Sequence, residues 1–206
     1  MKLSSLLIVT VCLVPITASA QPFFGRFVSV GITGGAALTD AFSNETAMGV
    51  DTDAHVFSGS KDYIVGPTLE LRLPLNLSVE FDALYGPLNL TLVNTVIPLG
   101  VFTTRSTVNS WEFPLLAKYR LPAHAARLFL EAGPSFRRVQ SFAADSPHLS
   151  RAGFTAGGGV EFGIARLKID PELRYTRWGS DSNLNPSVLN PASNANQAEL
   201  LLGFSF

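Results

Sequence analysis

Cysteine, charged residues and long hydrophobic runs are all scarce in this sequence of 206 residues, and each shortage excludes a class of protein. The single cysteine, Cys12, lies in an N-terminal apolar segment, so the chain beyond it has no disulfide, no thiol nucleophile and no thiolate metal site. Charged residues make up 15% of the chain and the formal net charge is −1, which gives no sign of nucleic-acid binding. Beyond the N-terminal segment, no stretch offers the roughly 18 uninterrupted apolar residues of a transmembrane helix. Because 47% of the residues are nevertheless hydrophobic, they form either a large soluble core or an apolar face distributed over many strands.

Residues 1–20 have the features of a secretory signal peptide. Lys2 supplies the positive charge, 6–14 is a short apolar run, and 18–20 reads Ala-Ser-Ala, a small-residue cleavage site. We therefore expect residues 1–20 to be cleaved and residues 21–206 to form one exported domain.

The rest of the chain alternates apolar and polar residues with the two-residue period of β-strands. No convincing period of 3.6 residues interrupts this pattern, so the sequence predicts an all-β fold. The predicted strands are 27–38, 63–73, 77–92, 106–121, 127–139, 152–162, 167–178 and 196–206.

The predicted connections alternate between short and long. Those after the second, fourth and sixth strands are short, whereas the others are centred near residues 50, 99, 145 and 187 and are mostly rich in Asn, Ser, Asp, Gly and Pro. Short turns at one end and long loops at the other are typical of a transmembrane β-barrel with both termini in the periplasm. The sequence therefore predicts an eight-stranded antiparallel transmembrane β-barrel of the bacterial outer membrane.

The charged residues of the predicted strands all have one parity, apart from Arg138 and Arg177 at loop ends. We predict that they form an ion-pair network in the barrel lumen. Its nine acids and seven bases are Glu70, Arg72, Glu80, Asp82, Glu112, Lys118, Arg120, Arg127, Glu131, Arg137, Glu161, Lys168, Asp170, Glu172, Arg174 and Glu199.

Two architectures give a sheet one apolar and one polar face: a soluble sandwich or lipocalin with the apolar face inward, and a membrane barrel with it outward. Aromatic residues favour the membrane barrel, because they form two belts around an aliphatic band, as at the two lipid–water interfaces. A basic residue facing lipid at mid-membrane costs about 2–4 kcal/mol, so seven such residues must face the lumen. The predicted girdle residues are Tyr63, Tyr85, Trp111, Tyr119, Phe162, Tyr175 and Phe204.

Five prolines lie inside the predicted strands, although a closed sheet offers no free edge for them. Pro67, Pro87 and Pro134 each follow a glycine, and we interpret them as β-bulges near the outer rim. Pro114 and Pro171 have no comparable explanation.

The last predicted strand carries its apolar residues at alternate positions and ends on Phe206. A terminal aromatic residue of this kind is similar to the signal that the barrel-assembly machinery reads during insertion. We therefore predict that Phe206 is an assembly signal, a role that its deletion would test through the amount of barrel inserted in the outer membrane. The alternative is an ordinary edge strand of a soluble sandwich.

Three strand runs carry a family resemblance. They are 66–74, Gly-Pro-Thr-Leu-Glu-Leu-Arg-Leu-Pro; 111–120, Trp-Glu-Phe-Pro-Leu-Leu-Ala-Lys-Tyr-Arg; and 171–178, Pro-Glu-Leu-Arg-Tyr-Thr-Arg-Trp. Over about 22–206 the chain resembles the outer-membrane β-barrel domain family, often called PorT-like, which is similar in fold to small OmpA/OmpX-type barrels. The resemblance implies the fold and the outer-membrane location, and it implies little about activity.

Candidate catalytic residues are few. His148 and Ser150, near Asp145 and Ser146, superficially resemble the His/Ser pairs of outer-membrane lipid A deacylases, but a polar loop explains them better. His55 lies among acids in the first long connection, where a solvated loop is the simpler explanation. His124 falls in a short turn, and Glu112 with Lys118 and Arg120 could begin an ion path, although a structural ion pair is favoured. We therefore expect no enzyme activity, no cofactor and no metal.

The predicted function is that of an integral outer-membrane barrel with a structural or surface-interaction role. Its partners would be outer-membrane lipids, the barrel-assembly machinery and an extracellular protein or lipid that binds loop 93–105, whose tip is unusually apolar. The alternatives are a small pore or transport protein and, less favoured, an outer-membrane lipid-modifying enzyme.

Overall fold

The described part of the chain folds almost entirely into β-strands. The computed structural model describes residues 27–40, 45–48, 52–58, 61–96, 100–122, 126–139, 150–164, 167–179 and 194–206. Within these ranges, no helix is long and apolar enough to cross a membrane. The strands are β1 (Val28–Ala37), β2 (Glu45–Met48), β3 (Thr52–Ser58), β4 (Ile64–Arg72), β5 (Leu77–Asp82), β6 (Leu84–Val96), β7 (Gly100–Arg120), β8 (Ala126–Val139), β9 (Ala152–Ile164), β10 (Leu167–Trp178) and β11 (Asn196–Ser205).

These strands close into an antiparallel barrel. Each strand from β7 to β11 pairs with its neighbour in sequence, and β1 closes the ring by pairing with β11 on one side and β4 on the other. β5 and β6 act as one barrel strand, because both keep the same register against β7. The prediction of an eight-stranded antiparallel barrel is therefore confirmed. All eight predicted strands are present, with ends shifted by a few residues.

The interpretation of the prolines as bulges is wrong for the described strand pairs. Every pair keeps one register along its length, including the pairs that contain Pro67, Pro87 and Pro134. Pro67 lies opposite Ala83, whose amide still donates to the Pro67 carbonyl at 3.0 Å. A proline in this barrel therefore removes one hydrogen bond without inserting an extra residue. Ala83, opposite Pro67, is the single residue that separates β5 from β6.

The two faces of the barrel differ sharply in polarity. Large apolar side chains on the outer face are exposed, for example Leu130 at 62% and Leu173 at 53%, whereas the neighbouring charged Glu131 and Arg174 are only 3% and 2% exposed. A water-soluble protein does not combine an exposed aliphatic surface with a buried charged interior. The outer face therefore faces lipid and the charged face lines the lumen.

The barrel has two unlike ends. The short-turn end holds the connections after β4, β7 and β9, together with residues 27 and 206 at the edges of the described chain. The long-loop end holds the connections between β1 and β4, β6 and β7, β8 and β9, and β10 and β11. We use these two names below.

A small sheet extends from the long-loop end. β6 and β7 remain paired up to Val96 and Gly100, so the predicted loop 93–105 is a hairpin that prolongs two barrel strands. β3 pairs with β6 and β2 pairs with β3, which adds a hairpin that the sequence did not predict. The first long connection therefore includes two strands of this extension.

Candidate functional site in the barrel lumen

Arg174 is the centre of the lumen. It lies on β10 with its side chain 2% exposed, and its guanidinium contacts four carboxylates. The distances are 2.6 Å to Glu80, 2.5 Å to Asp82, 2.7 Å to Glu131 and 2.9 Å to Glu172. These acids come from β5, β8 and β10, so one planar cation with five donors ties three separate strands together.

Lys118 joins the same cluster from β7. Its ammonium lies 2.5 Å from Glu80, 3.3 Å from Glu131 and 4.2 Å from the centre of the Phe129 ring. The carboxylate oxygens of Glu80, Glu131 and Glu172 lie within 4.8 Å of one another, a spacing that suits a metal ion. Arg174 and Lys118 already supply positive charge to this group, so the cluster is best described as an ion-pair network.

A third base, Arg120, lies nearer the short-turn end. Its guanidinium donates to Glu70 at 2.5 Å, Glu161 at 2.7 Å and Ser78 at 2.7 Å. The interaction connects β4, β5, β7 and β9. Arg120 thus repeats, nearer the short-turn end, the arrangement that Arg174 makes at the centre.

Lys61 closes the network near the long-loop end. It lies in the connection before β4, yet it is only 3% exposed, and its ammonium contacts Glu112 at 2.7 Å and Glu199 at 2.8 Å. Burial acts to lower the pKa of Lys61, but the two carboxylates outweigh this effect and raise the pKa. Lys61 is therefore held charged across the lumen between β7 and β11.

An aromatic side chain lies above this layer. Trp178 is 2% exposed and its indole NH donates to Gln197 at 3.0 Å. The Arg137 guanidinium lies 4.2 Å from the centre of the Trp178 ring and donates to the Ser150 carbonyl at 3.1 Å. The lumen is thus filled by side chains from the short-turn end up to this ring.

The free space in the lumen is small. Among the described side chains, one cavity is lined by Asp170, Ser205 and Gly203 and another by Thr155 and Arg174, and each has room for about one water molecule. The described lumen therefore has the dimensions expected of an eight-stranded barrel filled by its own side chains.

The structure does not bring all predicted network residues together. Arg174 contacts Glu172 as expected from their common face, but Glu199 pairs with Lys61, and Asp170 has one carboxylate oxygen with no hydrogen-bond partner. Three bases are less engaged than predicted, because their positions near the short-turn rim leave them partly in solvent. Arg127 is 58% exposed and 3.6 Å from Glu161, Arg72 is 28% exposed and 4.0 Å from Glu70, and Lys168 has no ion pair within 4 Å among the described side chains.

The predicted girdle aromatics lie on the outer face. Exposed members include Tyr63 at 47% and Tyr175 at 46%. Near the long-loop end, Tyr85 lies 6.2 Å from Tyr63 and 5.3 Å from Trp111, measured between ring centres. The remaining predicted residues, Tyr119, Phe162 and Phe204, are also exposed on the outer face.

The other candidate residues have few described contacts or lie outside the described ranges. The Phe206 amide donates to the Val30 carbonyl at 3.0 Å, so the residue is tied to β1, but its role as an assembly signal stays a prediction. His55 lies on β3, in the extension. His124 and the group 145–148 lie outside the described residues, and Ser150 hydrogen-bonds to the Ala152 carbonyl at 3.0 Å.

Two lumen residues were not recognised in the sequence. Lys61 lies outside any alternating strand, although the excess of predicted acids over bases was a signal that a further base was needed. Trp178 has the same parity as Arg174, which could have placed it inside the barrel. Its aromatic character instead suggests an interfacial residue.

The matching family model agrees with this architecture. The family model described as "Outer membrane protein beta-barrel domain" matches residues 5–206. Among solved structures, the chain is similar to the outer membrane protein OprG from Pseudomonas aeruginosa, with 15% identity, a TM-score of 0.52, and coverage of 87% of this chain and 96% of that chain. Neisserial surface protein A (NspA) has 16% identity, a TM-score of 0.48, and coverage of 87% and 95%. The outer membrane enzyme PagL has 12% identity, a TM-score of 0.34, and coverage of 87% and 98%. No curated protein matches the chain.

Proposed function

Because this chain belongs to the outer membrane protein beta-barrel domain family, we propose that it is a closed, non-conducting barrel that acts through the surface it presents outside the cell. The family places the protein in the bacterial outer membrane. Export by the signal peptide at 1–20, insertion by the barrel-assembly machinery and the PorT-like assignment within the family remain parts of this proposal.

The blocked lumen is the observation that carries the proposal. Arg174 joins carboxylates from three strands at the centre, and Lys61 bridges Glu112 and Glu199 nearer the long-loop end. The cavity between these layers, lined by Glu112, Arg174 and Glu199, has room for about one water molecule rather than a hydrated solute. A path for ions would require several buried ion pairs to separate at once, so a pore function is disfavoured.

The first test is electrical. We expect the purified, folded protein to give no steady conductance in planar bilayers, because the lumen is occupied by paired side chains. An outer-membrane porin measured in the same bilayers provides the control for membrane quality and insertion. Large, steady conductance from the wild-type barrel would contradict the closed-lumen proposal and favour the pore alternative.

The surface role rests on the extension at the long-loop end. β6 and β7 carry it beyond the girdle aromatics, and Val101 and Phe102 at its tip are 64% and 53% exposed. Exposed apolar residues outside the lipid-facing band have no role in spanning the membrane, and such surfaces commonly bind partners. We place this tip outside the cell and propose that segment 93–105 contacts an extracellular protein or lipid.

The second test is photo-crosslinking in intact cells. A benzophenone amino acid in place of Phe102 should form adducts with this partner, because the side chain projects at the tip. The matched control is the same probe in place of Leu75, which is 82% exposed in the turn at the opposite end of the barrel. An adduct pattern that is identical at both positions, or absent at 102, would contradict the surface proposal.

We propose no catalytic role. In the described lumen, most buried acids and bases are held in ion pairs, as Glu131 and Lys118 illustrate, and such engaged groups are poorly suited to proton transfer. The enzyme alternative would therefore depend on the loop group at 145–150.

A further inference from the structure

Near the short-turn end and the centre of the lumen, the described buried side chains carry more negative than positive charge. Among the described residues there, the buried bases are Lys118, Arg120 and Arg174, and the buried acids outnumber them. The rim bases Arg72 and Arg127 lie 4.0 and 3.6 Å from acids of this region and remain partly in solvent, and the partly buried Lys168 has no ion pair within 4 Å among the described side chains. The buried acids of this region are Glu70, Glu80, Asp82, Glu131, Glu161, Asp170 and Glu172.

Asp170 is a buried acid with no ion pair within 4 Å among the described side chains. The side chain belongs to a residue that is only 9% exposed, and the Oδ1 atom of Asp170 is buried and makes no hydrogen bond. The Oγ atom of Ser205, which also lines the cavity at the short-turn end, has no partner either. A buried carboxylate that lacks a partner is costly unless something supplies positive charge.

The cavity beside Asp170 provides oxygen ligands and little else. Ser29 and Ser205 contribute hydroxyl groups, and the Thr33 and Thr68 hydroxyls, which are 2.7 Å apart, contribute two more. The only base in its lining is Lys118, which is already paired with Glu80 and Glu131. Oxygen-only ligands around a space the size of one water suit a small hard metal cation.

Gly203 keeps this space open. A Cβ atom at residue 203 would lie 3.4 Å from the Asp170 Cβ and 3.5 Å from the Thr33 Oγ1, which is ordinary van der Waals contact. An alanine here would therefore occupy the cavity without displacing the backbone. The glycine is thus compatible with a bound ion, and its replacement offers a way to close the site without removing any ligand.

We propose that the lumen binds one small hard metal cation between Asp170 and the hydroxyl groups at the short-turn end. The ion supplies the positive charge that the buried acids lack. This site goes beyond the closed-barrel function, because a conducting barrel could contain it equally well.

The test compares sodium with choline at equal ionic strength and pH, using the purified folded chain and its thermal midpoint. At a sodium concentration about a hundredfold above Kd, we expect the wild-type midpoint to be higher by about 5 °C than in choline, which is too large for the cavity. Calcium chloride serves as a second probe, and a response to calcium alone would also support the site and would assign it to a divalent ion.

Two variants separate a cation site from a structural role. Asp170→Asn should be more stable than wild type in choline, because it removes an unpaired charge, and it should not respond to sodium or calcium. Gly203→Ala should match wild type in choline and lose the response, whereas Gly163→Ala, where nothing lies within 4 Å of the added Cβ, should retain it.

Three results would overturn the proposal. The first is equal wild-type stability in sodium, calcium and choline, as expected if water fills the cavity. The second is stabilisation by lower pH alone, as expected if Asp170 is simply protonated. The third is a cation response that persists in both Asp170→Asn and Gly203→Ala.

Discussion

Arg174→Ala is expected to lower the free energy of unfolding by at least about 3–5 kcal/mol, the range for removing one partner of a buried ion pair. The expected loss lies at or above the upper end of this range, because Arg174 contacts Glu80, Asp82, Glu131 and Glu172, and only Lys118 remains near them. Arg174→Lys should recover only part of the loss, since an ammonium cannot reproduce the planar array of donors. Urea unfolding of the folded barrel in detergent, followed by the gel shift on heating, measures the effect.

The matched control is Arg127→Ala. Its side chain is 58% exposed and lies 3.6 Å from Glu161, so the expected loss is below about 1 kcal/mol. Equal midpoints for Arg174→Ala and Arg127→Ala would show that the central network contributes little to stability and would contradict our description of the lumen.

Lys61→Met is expected to have the second largest effect. The substitution keeps an apolar stem of similar length but leaves Glu112 and Glu199 buried without their shared cation, which costs about 3–5 kcal/mol. Because the folded pKa of Lys61 is raised above 10.5, its contribution is fully present below pH 10.5 and is lost as the pH rises through the folded pKa. The difference in unfolding midpoint between wild type and Lys61→Met should therefore be constant from neutral pH to about pH 10.

A triple variant distinguishes charge from packing. Adding Glu112→Gln and Glu199→Gln to Lys61→Met removes the two carboxylate charges that lack a partner, and it should restore a substantial part of the lost stability. Lys168→Met is the single-substitution control, because Lys168 has no ion pair within 4 Å among the described side chains and should change the midpoint little. A triple variant as unstable as Lys61→Met would show that Lys61 acts through packing.

The barrel itself could be predicted because its signal is local. Alternation along 63–73 or 167–178 reports directly which side chains face lipid, and an unbroken register preserves that alternation from end to end. The hairpin of β2 and β3 lacks this alternation. It belongs to the extension at the long-loop end, where a strand is not required to present an apolar face to lipid. The bulge interpretation of Pro67 failed for a related reason: a missing hydrogen bond can be tolerated without a change of register.

The pairing inside the lumen could be predicted only in part. Parity places Arg174 and Glu172 on one face, but it does not show which acids on distant strands reach Arg174 across the barrel. Asp82 and Glu131 do so because of the curvature of the closed sheet, which has no signature in the sequence. Lys61 was missed because its position depends on the path of an irregular connection.

The closure between β1 and β11 has a consequence for the timing of folding. Ser29 donates to the Phe206 carbonyl at 2.7 Å, and the two residues are 177 positions apart in the chain. Contacts of such long range form slowly, because the entropy cost of closing a large loop comes before the stabilisation that the contact provides. The ring cannot close before the last strand has been synthesised, so until then the apolar outer face and the charged inner face of the earlier strands lack their final surroundings. The acids around Arg174, which come from β5, β8 and β10, become neutralised only as the ring forms. The topology therefore delays the burial of these charges until the last strand pairs with the first, whatever the protein does once it is folded.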